Sequence, residues 1–288
     1  MLDGNIIGIE GAKSLSMGIK DNETLTNLHL SDCLIMEDGA KELAKSLENK
    51  RNLLVLDLTN NKIMSDGCIA ICKSIQNQST LRELMLSSNF IGPGGAKAVS
   101  KVLLNKKYIT ELNLAMNGIF VEGCTAIGQS LKDKKYLEVL NLKKNECGTV
   151  GIKTLEDCLN LSKTIKELNL SGNQMGDEGL EVVIRALSNK KRLSLHMLAL
   201  SGNNLTSRGC KIVCDFINKC HSLEELALSN NEIDNEGAEA LIRVLKNRDN
   251  FSNIDIDNNK ISGVTLTNLF NILPLRNLNL LKNVMTDD

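Results

Sequence analysis

The fold class predicted by this 288-residue sequence is an α/β solenoid, on three observations. One motif recurs at a nearly constant spacing, and each copy joins a short alternating apolar run to a segment with helical periodicity. An Asn and a Gly hold constant places between the two. Residues 165–179, Ile-Lys-Glu-Leu-Asn-Leu-Ser-Gly-Asn-Gln-Met-Gly-Asp-Glu-Gly, show the unit, with a helix-like segment following over 180–187.

The strand comes first in each copy. Apolar starts fall at Leu25, Leu53, Leu81, Ile109, Leu137, Ile165, Leu195, Leu223, Phe251 and Leu275. They lie 28 residues apart through the first six, 30 into the seventh, 28 for the next two and 24 into the last. Within the unit, Leu168 and Leu170 flank Asn169 in the period-2 pattern of a strand. A count this regular leaves no linker, so a single domain spans 1–288: a partial repeat over 1–24, full repeats over 25–250 and shortened repeats over 251–288.

The turn comes next. Asn61, Asn89, Asn117, Asn145, Asn173, Asn203, Asn231, Asn259 and Asn283 form a column, with Cys33 in the first full repeat. A buried Asn has one acceptor and two donors for backbone groups where the chain leaves the strand. Six residues on, Gly39, Gly67, Gly95, Gly123, Gly151, Gly179, Gly209 and Gly237 mark a turn or a close approach that excludes a side chain. The helix closes the unit; in the second repeat its apolar stripe is Cys68, Ile71, Cys72 and Ile75. At the ends, Asn5, Ile7 and Gly11 match the template without a preceding strand, while Gly263 leaves its column and Pro274 interrupts the final copy. The last strand is left as a candidate open edge.

The template L-x-x-L-x-L-x-x-N-x-I, with its Gly, resembles the leucine-rich-repeat family, and at 28 residues its ribonuclease-inhibitor-like subclass. The resemblance covers essentially the whole chain. It implies a right-handed horseshoe, with parallel strands on the concave face and helices on the convex face. It also implies that the residues between the strand leucines face the concave surface.

Those columns form a surface map. One reads Asn27, Val55, Glu83, Glu111, Val139, Glu167, Met197, Glu225, Asn253, Asn277; the next reads His29, Asp57, Met85, Asn113, Asn141, Asn169, Ala199, Ala227, Asp255, Asn279. Four Glu residues make an acidic stripe interrupted by Val139 and Met197. The expected partner-binding residues are Val55, Asp57, Glu83, Met85, Glu111, Asn113, Val139, Asn141, Glu167, Asn169, Met197 and Glu225. Where helices end, Lys50-Arg51, Lys106-Lys107, Lys134-Lys135 and Lys190-Lys191-Arg192 are expected to form a basic row along one rim, favoured by the helix macrodipole. That row lacks interleaved aromatics apart from Tyr108 and Tyr136.

Composition narrows the function. A net charge of -1 gives no global pull toward nucleic acid or an anionic membrane, and no run approaches the length of a membrane span. Nine cysteines, an odd number in a chain this long, together with an N-terminus lacking a signal-like apolar run, point to a reducing, cytoplasmic setting. His29, Asp57 and Ser31 bring three hydrolase side-chain types together, but an open sheet has no nucleophile elbow or oxyanion hole. Cys68 with Cys72, and Cys210 with Cys214 near Cys220 and His221, sit in columns that hold Ala or Ile elsewhere, and are expected to be core filler rather than metal ligands.

The reading is a non-catalytic protein-interaction scaffold with no cofactor, no metal and no small-molecule substrate, with nucleic acid and membrane as unfavoured partners. The alternatives are a small-GTPase regulator, as in the Ran GTPase-activating members of the subclass, although only Asp287-Asp288 stands where those carry an acidic tail. An inhibitor of a basic enzyme such as a ribonuclease, part of a longer receptor, and an effector delivered by a bacterial pathogen into host cytosol complete the set.

Overall fold

Residues 1–189, 193–246, 248, 250–272, 277–279 and 282–283 are described by the structure, a computed structural model. Ten three-residue strands form one parallel sheet in strictly sequential order: β1 (Asn27–His29), β2 (Val55–Asp57), β3 (Glu83–Met85), β4 (Glu111–Asn113), β5 (Val139–Asn141), β6 (Glu167–Asn169), β7 (Met197–Ala199), β8 (Glu225–Ala227), β9 (Asn253–Asp255) and β10 (Asn277–Asn279). A helix follows each of the first nine: α2 (Met36–Leu47), α3 (Met64–Ile75), α4 (Gly92–Leu104), α5 (Phe120–Leu131), the broken pair α6 (Gly148–Lys153) and α7 (Glu156–Leu161), α8 (Gly176–Ser188), α9 (Ser207–Ile217), α10 (Asn235–Leu245) and α11 (Gly263–Ile272). An additional helix, α1 (Gly8–Ile19), precedes β1. The sheet is unclosed and the helices lie on its outer, convex side, as the repeat pattern predicts.

The core is a stack of equivalent layers. In the second repeat Leu56, Leu58, Ile63, Cys68, Ile71 and Ile75 are all fully buried, and every other full repeat presents matching positions. Each such aliphatic side chain contributes about 1.5–3 kcal/mol through burial. The layers are tied together by the Asn column. Asn117 Nδ2 donates to the carbonyls of Leu86 (2.9 Å), Leu114 (3.0 Å) and Ala115 (3.2 Å), while its Oδ1 accepts from the N–H of Asn89 at 2.9 Å in the preceding repeat. Cys33 fills the same place with weaker sulfur contacts to the carbonyls of Leu2 (3.2 Å) and Ser31 (3.3 Å).

Three local features differ from the sequence pattern. The Gly column lies inside the first helical turn rather than in the turn before it, because the chain reverses three residues earlier through left-handed backbone at Met36, Met64, Gly92, Phe120, Gly148 and Gly176. The Gly residues serve helix-to-helix contact: a Cβ on Gly123 would stand 2.8 Å from Cβ of Ala96. The paired strands are also shorter than the apolar run and begin two residues after Leu25, Leu53 and their equivalents. In the fifth repeat the helix breaks at Thr154, whose hydroxyl donates to the Gly151 carbonyl at 2.6 Å. Gly128 of α5 makes room for it, since a Cβ there would collide with the Thr154 side chain.

At the N-terminal end, the N–H groups of Leu2 and Gly4 donate to the carbonyls of His29 (3.1 Å) and Ser31 (2.8 Å), so the partial repeat lies along the edge of the first full one. Leu275, Asp287 and Asp288 lie outside the described residues, as does Pro274. Cys124 and Cys147 are joined by a disulfide across 23 residues, a bridge that nothing in the cysteine count foretells. The other seven cysteines are buried free thiols. Among the described residues no helix is long and apolar enough to cross a membrane.

Candidate functional site

The strand residues between the core leucines form two parallel rows on the concave face, in register across the sheet. The first runs Val55, Glu83, Glu111, Val139, Glu167, Met197, Glu225, each the direct cross-strand partner of the next. The second runs Asp57, Met85, Asn113, Asn141, Asn169, Ala199. Glu167 and Glu225 are exposed, whereas Glu83, Glu111, Val139 and Met197 are half-buried. Val55 is the exception among the expected contact residues: it is only 6% exposed, so it belongs to the packed part of the sheet.

The second row is partly committed to the fold. Asp57 Oδ1 accepts from the Thr59 N–H (2.9 Å), and Asn113, Asn141 and Asn169 accept in the same way from Ala115 (3.2 Å), Lys143 (3.1 Å) and Ser171 (3.1 Å). These short turns, two residues on, are the Asx geometry that steers the chain off the strand. Their acceptors are thus spoken for, a role that the columns alone do not reveal.

The Glu row has a different character. Burial, then the neighbouring charges of Glu83, Glu167 and Asp57, push the Glu111 carboxyl above the usual carboxylate range. Among the described residues none of Glu83, Glu111, Glu167 and Glu225 forms an ion pair. The helical layer is the opposite: Glu122 pairs with Lys97 (2.6 Å), Glu156 with Arg185 (2.7 Å), Glu181 with Arg208 (3.1 Å) and Glu236 with Lys211 (2.6 Å), each across two adjacent helices. These four carboxylates of the helical layer are neutralised from an adjacent repeat, whereas the four of the concave row have no ion pair among the described residues.

The expected basic rim is corrected by the structure. Lys50 and Lys106 are 1% and 0% exposed because each reaches back beneath the preceding repeat, and Lys134 is buried as well. Lys50 Nζ donates to the Lys20 carbonyl (2.7 Å), and Lys106 Nζ to those of Ile75 (2.7 Å), Gln76 (3.2 Å) and Gln78. The physical cause is the set of carbonyls left without partners at a helix C-terminus. Gln78 performs the same task toward Leu47, and Arg248 toward Ile217 and Cys220. Only the second residue of each pair, Arg51, Lys107 and Lys135, is exposed on the rim, and Lys190, Lys191 and Arg192 lie outside the described residues.

The paired cysteines sit inside the core. A hydrogen bond with Cys68 and burial push the Cys72 thiol well above the ordinary range, and Cys214 does the same for Cys210. Protonated thiols of this kind are poor nucleophiles and poor metal ligands. Among the described residues no group of three or more His, Cys, Asp or Glu side chains is arranged to hold a metal ion. His29 and Asp57 are cross-strand partners.

A family model described as Leucine Rich repeat matches residues 49–72, 77–100, 105–128, 161–183 and 219–241. Among solved structures, an internalin from Listeria monocytogenes is similar at a TM-score of 0.51 and 17% identity, covering 97% of this chain and 89% of that one. Actin-binding site 2 of leiomodin-1 is similar at a TM-score of 0.41 and 20% identity, over 53% of this chain and 87% of that one. No curated protein sequence matches the chain. The likeness to the internalin is one of fold.

Proposed function

This chain is a leucine-rich-repeat protein, and we propose that it is a non-catalytic scaffold that binds a protein partner through its concave face. The observation that carries this reading is the contrast between the two surfaces. Interhelical ion pairs neutralise carboxylates of the convex layer, while Glu83, Glu111, Glu167 and Glu225 stand unpaired in the concave row among the described residues. An acidic row of this kind favours a basic partner segment, with Met85, Val139 and Met197 as the apolar contacts beside it. A basic enzyme, such as a ribonuclease, is one partner of that chemistry. The 28-residue period supports the ribonuclease-inhibitor-like subclass; the seven buried free thiols favour a reducing, cytoplasmic setting, and the disulfide between Cys124 and Cys147 is the observation that stands against it.

The experiment is affinity capture with the wild-type chain and with a Glu83→Lys, Glu111→Lys, Glu167→Lys variant whose circular dichroism and melting match the wild type. Loss of a captured basic partner in the variant supports the concave face as the contact. Equal recovery by both chains rejects it.

A further inference from the structure

A second surface lies on the rim where the strands begin, and its evidence is independent of the concave face. The residue just before the first apolar position of each repeat has a structural duty in most copies. The hydroxyl of Thr80 donates to the carbonyls of Arg51 (2.9 Å) and Leu53 (2.8 Å), and that of Thr164 to Lys135 (3.1 Å) and Leu137 (3.0 Å). Ser222 and Asn250 repeat the pattern toward Leu193 with Leu195 and toward His221 with Leu223. Two adjacent repeats abandon it. They carry Tyr108 and Tyr136, which turn outward, 46% and 47% exposed, with ring centroids 5.6 Å apart.

The fold does not require tyrosine there, since smaller residues serve it better elsewhere in the same column. What the rings build is a patch. The Arg82 guanidinium lies 4.6 Å from the Tyr108 ring centroid and also donates to the Tyr108 carbonyl at 3.2 Å. Beside the rings, Leu104, Lys107 and Lys135 line a cleft of about 460 Å³, and Leu104 is 65% exposed. Arg82, Lys107 and Lys135 form no ion pair among the described residues, unlike Lys97, Arg185, Arg208 and Lys211 of the convex layer. Asp133 is the carboxylate in the cleft lining. The patch therefore combines two aromatic plates, one exposed aliphatic side chain and three cations without carboxylate partners.

We propose that this cleft docks an acidic protein segment, whose apolar side chain packs between Leu104 and the tyrosine rings and whose carboxylates meet Arg82, Lys107 and Lys135. Charge complementarity selects an acidic occupant, and aromatic and Arg side chains are the residue types that anchor protein interfaces. A nucleic acid is the poorer match. Tyr108 already has Arg82 and Tyr136 against it, which leaves one outer ring face for base stacking.

The two tyrosines are the only ones in the chain and there is no tryptophan, so intrinsic emission excited in the tyrosine band reports this site alone. Titrating the full chain with a short peptide of Asp and Glu around a central Leu should quench or enhance that emission saturably, with affinity falling as salt rises. A Tyr108→Thr, Tyr136→Thr variant restores the hydroxyl used elsewhere in the column, so it should keep wild-type stability. It should lose affinity for the labelled peptide, read by anisotropy, by roughly tenfold or more. Lys107→Glu, Lys135→Glu should do the same on the intact aromatic pair, while Glu83→Lys on the concave face should leave peptide binding unchanged. The proposal is overturned by an absent saturable signal, by undiminished peptide affinity in the Tyr or Lys variants, or by tighter binding of poly-uridylate or phosphatidylserine vesicles at the same salt.

Discussion

Lys106 offers the sharpest quantitative test of how this solenoid holds its layers together. Its ammonium is fully buried and donates to three carbonyls, those of Ile75, Gln76 and Gln78, at the C-terminal end of α3. Burial, opposed by the nearby Cys72, lowers its pKa from 10.5 to about 8. Replacing it with Met removes that donor from all three, but the Ile75 carbonyl keeps the Gln78 N–H (3.1 Å), so two are left without a partner at about 1–3 kcal/mol each. Against this stands the desolvation cost that the ammonium no longer incurs. At 1.36 kcal/mol per pKa unit, and discounted for partial hydration of the site, that recovery is about 2 kcal/mol. The balance predicts that Lys106→Met loses on the order of 2 kcal/mol, within a range of about 0–4, near neutral pH. Lys106→Gln should lose less, since Gln78 fills the equivalent place one repeat earlier and bonds the Leu47 carbonyl.

The sign of the pH dependence follows from the direction of the shift. A Lys whose folded pKa lies below its unfolded value binds fewer protons in the folded state between about 8 and 10.5. The unfolded chain holds the extra proton in that window, so stability rises with pH there. Urea unfolding of wild type and Lys106→Met at about pH 7 and about pH 10, followed by circular dichroism, should show the wild-type advantage growing by up to about 2 kcal/mol. Equal stability of the two chains at neutral pH would refute the capping role. An advantage that stays constant across the window would refute the buried, desolvated ammonium.

Three further outcomes follow from single side chains. Asn117→Ala should cost about 3–5 kcal/mol in urea unfolding, since it strips partners from the carbonyls of Leu86, Leu114 and Ala115 and from the Asn89 N–H; Asn117→Cys, the replacement that Cys33 represents in the same column, should cost less. Phe90→Gly should stabilise the fold by about 1 kcal/mol net of the glycine's entropy, seen as a raised melting temperature, because Phe90 is 61% exposed and held at φ 56, a left-handed conformation that is costly for a side chain with a Cβ. Glu111→Gln should stabilise the fold by up to about 1 kcal/mol near neutral pH, since it removes a like charge facing Glu83 across the strands. Because the folded pKa of Glu111 is raised, the wild type regains that difference as pH falls toward the carboxylate range, so the gap between the two chains should close in acid.

The columns that repeat with the core are the most legible part of this chain. Leu, Asn and Ile recur because each repeat must fill the same volume and satisfy the same backbone groups, so periodicity alone exposes Asn117 or Leu56 as structural. The Gly column is legible only in part, because its spacing fits both a turn and a close contact. The sign of φ, which decides between them, is carried at the turn by Met64, Phe120 and other residues whose identity does not announce it. Lys50 and Lys106 read as surface residues because lysine is charged, yet the helix ends beneath them need donors. A long aliphatic stem can deliver an ammonium there while filling apolar space. The disulfide between Cys124 and Cys147 depends on two columns touching across neighbouring repeats, which spacing does not state.

The same logic separates fold from recognition in the columns that do vary. A residue that departs from its column without a structural gain is a candidate for contact, and one that departs while keeping the hydrogen bonds is not. Cys33 keeps part of the Asn contacts and Gln78 keeps the helix-capping bond, so both stay with the fold. Tyr108 and Tyr136 give up the bonds that Thr80 and Thr164 make, and Glu83, Glu111, Glu167 and Glu225 lack, among the described residues, the ion pairs that Glu122 and Glu156 have. Recognition by this solenoid is therefore expected where the repeat is least faithful to its own hydrogen bonding and charge pairing. A substitution scan should find binding losses concentrated at those positions and stability losses concentrated in the Asn and buried Lys columns. Binding losses spread evenly over both sets would show that departure from the repeat carries no information about the partner.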